Sequence, residues 1–242
     1  MKKKVLAIAL VICLALIAIG GASLAYLTDK DEAVNVMTLG NVEIQQNERD
    51  RFGSNFVQNQ NLFPMVDLRT DKTAESIIPV EGAEPLFDSG IKNVIDKFVT
   101  VTNTGDYSAY VRTILAFETA TLGNDTDLHR TYITANGIFT YLDQHITIDG
   151  VDYTIAVCVY EAPLAPGATT RASLRQFYLN SNATNEIVNI FGDTYTVLAL
   201  SQAVQVAGFE TVGAAVALDT AFGAITEATA QTWFAQHATT NP

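Results

Sequence analysis

The chain has 242 residues, with 14 Lys and Arg against 26 Asp and Glu, and its net charge of -12 argues against a phosphate backbone as partner, which excludes nucleic acid. Apolar residues make up 48% of the chain and charged ones 17%, which excludes a disordered protein and suffices for one large β domain. Of its two cysteines, Cys13 lies in an N-terminal apolar run, so Cys158 alone remains once that run is removed and no internal disulfide is expected. An exported protein of that kind suits a bacterium-like secretome that does not rely on disulfides.

In chain order, Lys2, Lys3 and Lys4 form a basic start, residues 5–19 are apolar, and small residues follow up to Ala25. This pattern predicts a cleaved secretory signal over residues 1–25, with Ser23 and Ala25 read by the peptidase and Tyr26 as the first mature residue. The apolar run is shorter than the ~20 residues that span a bilayer. The expected location is therefore extracellular, with membrane contact only through the signal.

Residues 34–44 alternate, with Val34, Val36, Val42 and Ile44 on one side and Asn35, Asn41 and Glu43 on the other, predicting a first strand bent at Gly40. Residues 45–90 are polar, include Pro64, Pro79 and Pro85, and read as a long excursion carrying at most short strands. Residues 98–102 alternate again and 103–106 form a turn cluster. Residues 107–117 are β-branched and aromatic on both faces, as in a strand covered on both sides, with Arg112 expected to pair with an acid. Asp149-Gly150 between alternating runs is the preferred type I' hairpin turn, because both of its central residues need positive φ. A break at 163–167, a strand within 169–179 and a second hairpin around Gly192-Asp193 follow. Residues 201–238 are rich in Ala, which favours helix, yet 203–206 alternate, so helix and strand both stay open there. Short turns and the lack of βαβ spacing predict an all-β antiparallel β-sandwich with some helix, organised as a signal (1–25), an N-terminal strand segment (26–44) and one domain (45–242).

No motif points to catalysis. The chain lacks a nucleophile elbow, a phosphate loop and a dinucleotide fingerprint. His129, His145 and His237 are far apart and none belongs to a zinc-binding helix, so neither a metal nor any other cofactor is expected. Asp125 and Asp127 alternate with polar residues as calcium ligands do, but the following glycine and distant glutamate are missing, which favours a solvated turn. Cys158 between Val157 and Val159 fits a small core residue.

The order of segments nevertheless carries a resemblance. The Lys-rich signal ends Gly-Gly-Ala-Ser-Leu-Ala-Tyr, and Asn35-Val36-Met37-Thr38-Leu39-Gly40-Asn41-Val42 follows. Phe98-Val99-Thr100-Val101-Thr102-Asn103-Thr104-Gly105, Ala109-Tyr110-Val111-Arg112, Pro163-Leu164-Ala165-Pro166-Gly167 and Ala203-Val204-Gln205-Val206-Ala207-Gly208-Phe209 extend it over most of the chain. The chain thus resembles the TasA/camelysin family of secreted biofilm-matrix proteins of Gram-positive bacteria, whose signals are processed by a SipW-type peptidase. The resemblance implies a jelly-roll-like sandwich and a fibre subunit whose partner is another copy of itself, each N-terminal strand completing a neighbour's sheet. Val34, Val36, Met37 and Leu39 are the candidate donor residues. An ordinary strand paired within its own domain is the competing reading of the same segment. Two other functions stay open: a camelysin-like secreted metallopeptidase, for which no zinc pattern is present, and a monomeric adhesin or binding module using loops 45–90 and 120–137.

Overall fold

The computed structural model describes residues 36–57, 63–69, 90–119, 128–131, 137–141, 145–181 and 195–238. It shows an all-β sandwich of jelly-roll-like character, with two short helices on one outer face. Sheet A contains β1 (Val36–Leu39), β12 (Val197–Gln205), β6 (Ala109–Glu118), β10 (Val151–Leu164) and β8 (Gly137–Tyr141) in that order, with β9 (Ile146–Ile148) also on β10. Sheet B has the order β2 (Ile44–Arg49), β5 (Ile95–Asn103), β11 (Leu174–Leu179) and β7 (Leu128–Thr131). A small pair, β3 (Val66–Asp67) with β4 (Ile91–Lys92), is tied to the end of β11, where the Met65 N–H donates to the Leu179 carbonyl at 2.8 Å and Ile91 packs with Tyr178. Two helices, α1 (Ala214–Phe222) and α2 (Glu227–Ala238), end the described chain.

The layers follow from which faces are apolar. Val99 and Leu174 of sheet B meet Leu115, Phe117, Ala156 and Ala199 of sheet A, and Val101 meets Val111, Cys158 and Ala203. The opposite face of sheet A is apolar too. Ile114, Ile146, Ile155 and Leu200 pack under Trp233 and Phe234 of α2, and Tyr110 and Val204 pack under Ala217 and Leu218 of α1. Strand β6, covered on both sides, therefore buries nine of its ten residues without alternation. Each large apolar side chain fully buried there contributes about 1.5–3 kcal/mol relative to exposure.

Several expectations hold. Asp149 and Gly150 have φ of 51° and 83°, the left-handed pair that turns β9 into β10. Strand β5 covers the predicted 98–102, and Arg112 pairs with Asp219.

Others are corrected. Residues 34–44 do not make one bent strand, because β1 joins sheet A and β2 joins sheet B, with Gly40 at the corner. The sandwich is not wholly antiparallel either, since β1 runs parallel to β12. Strand β10 continues through Pro163 to Leu164, and its register shifts between Tyr160 and Leu164, which lets a residue without an N–H remain in a strand. Strand begins at Leu174 rather than Thr169, which makes a single bridge to Thr102. The ambiguous C-terminal region divides, with strand to Gln205 and helix from Ala214. The predicted partner segment of the second hairpin, 186–191, and the signal residues Ser23, Ala25 and Tyr26 lie outside the described residues.

Candidate functional site

Among the described residues, strand β1 ends the path of sheet A, and the one strand it pairs with is β12. Val36, Met37, Thr38 and Leu39 stand opposite Ser201, Gln202, Ala203 and Val204 in parallel register. Three of the four candidate donor residues therefore pair within their own chain, and Val34 lies outside the described residues. Parallel ladders are slightly weaker per residue than antiparallel ones, and this one is four residues long.

Fixed structure begins immediately after β1. Gly40 turns the chain at φ 86°, a conformation that a side chain would strain, and a Cβ there would sit 3.2 Å from Gln205 Oε1. The same oxygen accepts a long hydrogen bond, 3.4 Å, from the Asn41 N–H. Val42 is 3% exposed and packs into the inter-sheet core. The N–H groups of Thr104 and Gly105 both donate to the Glu43 carbonyl, at 3.0 and 3.1 Å. A Cβ on Gly105 would come within 2.9 Å of the Glu43 nitrogen, so the turn needs glycine at this close approach. Asn103 locks that turn: its Nδ2 donates to the carbonyls of Tyr107 and Leu164, and its Oδ1 accepts from the Gly105 N–H. The result is a short strand joined by one glycine corner to a clamped body.

Strand β12, on which β1 lies, is tied to its neighbours on both faces. Gln202 Oε1 accepts from Arg112 Nε at 2.6 Å, while the other guanidinium nitrogens of Arg112 donate to Asp219 Oδ1 at 2.6 Å and to the Gly223 carbonyl at 3.1 Å. Trp233 of α2 lies 5.5 Å from the guanidinium carbon. Burial lowers the Arg112 pKa and Asp219 opposes the shift, so the cation is matched by its partner. On the inner face, Ser201 Oγ donates to Gln46 Oε1 at 2.6 Å, and Gln46 Nε2 donates to the Ala199 carbonyl at 3.3 Å, tying β12 to sheet B.

Among the described residues no group of three or more His, Cys, Asp or Glu is placed to hold a metal ion. His145 is exposed, His129 lies on β7 and His237 on α2, and Asp125 and Asp127 lie outside the described residues. Cys158 is buried, and desolvation pushes its thiol up to about 12, the reverse of an activated nucleophile. Among the described residues no helix is long and apolar enough to cross a membrane.

Sequence reasoning found the bend at Gly40 and the turn at 103–106, but it missed Gln205, Glu43 and Gln202 as parts of the same site. Only the spacing of Gly105 after Asn103 hinted at a tight turn, and nothing in sequence linked it to Glu43, 62 positions earlier. Neither the known family models nor the curated proteins include a match to this chain.

Proposed function

We propose that the protein is a secreted structural subunit of an extracellular fibre or surface appendage, in which the segment containing β1 is donated to the sheet of the next copy. The observation that carries this reading is the attachment of β1: among the described residues it is an edge strand with one partner, four ladder positions and a glycine corner before the clamped body. Backbone hydrogen bonds along β12 supply affinity for such a strand, and alternate side chains supply register. A donor that leaves one subunit for the equivalent slot in the next makes a head-to-tail contact, which propagates into a filament when the rotation does not close. The resemblance to exported matrix proteins supports the same reading and adds a SipW-type signal peptidase as the processing partner.

The test compares residues 26–242 with residues 40–242 by negative-stain electron microscopy and sedimentation, across pH and added divalent cations. Filaments from the longer chain alone, with the shorter one folded and monomeric, are the expected result. Folded monomers from both under every condition would sink the proposal and favour a monomeric adhesin. The metallopeptidase alternative predicts bound zinc and proteolysis that a chelator abolishes.

A further inference from the structure

We infer that β1 acts as an autoinhibitory strap, filling the acceptor slot of its own subunit so that strand exchange must wait for its release. The inference rests on the fibre reading and adds its regulation. The slot along β12 that a neighbour's strand would fill, Ser201 to Val204, is the one β1 occupies in the closed subunit. A strand tethered through the short corner 40–43 competes at an effective concentration on the order of millimolar, well above that of a dilute secreted protein. The closed form is thus favoured until subunits are concentrated.

Both ends of the device have a structural basis. Val42 and Glu43 are held by the core and by the 103–105 turn, so opening does not disturb the body beyond residue 41. Gln205 marks the closed state, because its side chain meets both the Asn41 N–H and the inner side of the Gly40 corner. Exchange between copies replaces one parallel ladder by an equivalent one. Its slow step is the loss of four residues of pairing inside one molecule.

The experiment uses the mature protein carrying Thr38→Cys and Ala203→Cys, positions that face each other in the ladder. Because Cys158 packs in the same inter-sheet cluster as Ala203, the protein and its unlinked reference both also carry Cys158→Ala, which removes the competing thiol. Oxidation at high dilution is expected to give an intrachain disulfide and a monomer that forms no filaments, and reduction is expected to restore assembly. A cross-linked monomer that still assembles at the wild-type rate would overturn the strap while leaving the fibre reading intact. Disulfides forming only between chains would overturn it as well. If the wild type and the reduced variant both fail to assemble, the fibre reading fails and the strap with it. The unmodified protein gives a second readout: with release as the slow step, the assembly rate levels off as concentration rises, and a rate that keeps climbing contradicts the strap.

Discussion

Cys158 shows how a position in the sandwich sets the chemistry of one residue. Its side chain faces the inter-sheet core beside Val111 and Ala203, and desolvation raises its pKa from 9.0 to about 12. The buried form is the neutral thiol, so folding binds this proton more tightly than the unfolded chain does. Its contribution is complete below pH 9 and is lost as pH climbs toward 12, where only the unfolded state has ionised. Tyr178, raised to about 12 by burial against the pull of Arg69, adds to the same alkaline loss. Thermal melts are expected to fall steadily above pH 9, and Cys158→Ala is expected to make that fall shallower. An identical alkaline slope in the variant would count against the assignment. Sequence alone identified Cys158 as a core residue from its apolar neighbours. It also suggested an acid for Arg112, since a cation in an apolar strand needs one, but could not say which, because Asp219 is 107 positions away.

Among the elements, the helices are the least self-sufficient, and Arg112 adds a polar tie to the apolar packing that holds them on the sheet. Helix α1 has neither an N-cap side-chain hydrogen bond nor a charged residue suited to its dipole in its first or last turn, so it depends on packing. Arg112 reaches from β6 to Asp219 and to the carbonyl of Gly223 at the end of that helix. Asp219→Ala leaves a guanidinium that is 1% exposed without its counter-charge. A fully buried pair broken in this way costs about 3–5 kcal/mol. Because the Asp219 side chain is 47% exposed, solvent screens part of the interaction, and a loss of about 2 kcal/mol in denaturant unfolding is expected. A loss below about 0.5 kcal/mol, the range of ordinary surface changes, would show that the helices are held by packing alone. The hairpin between β9 and β10 was legible because its turn chemistry is local. The parallel pairing of β1 was not, since two short alternating segments carry no signal for their relative direction.

On the scale of the whole molecule, charge opposes the proposed assembly. The chain carries -12, and the proposed removal of residues 1–25 would take Lys2, Lys3 and Lys4 with it and leave the subunit more acidic still. Subunits meeting end to end repel one another at low ionic strength. Raising salt from roughly 0.01 to 0.15 M shortens the screening length from about 30 to about 8 Å, less than the width of a domain. Filament growth followed by light scattering is expected to accelerate over that range, and slower growth with added salt would mean that attraction between charges drives the contact. Composition and periodicity determined the all-β class, the strand covered on both faces, the Asp149-Gly150 hairpin and the acidic character, because each depends on residues close in sequence or on sums over the chain. Only the tertiary structure decided that the first alternating run divides between two sheets at Gly40, that β1 lies parallel on β12, and that Gln205, Glu43 and Gly105 meet at the corner. Those contacts join residues 62 to 165 positions apart, and their partners are chosen by how the two sheets pack rather than by any local pattern.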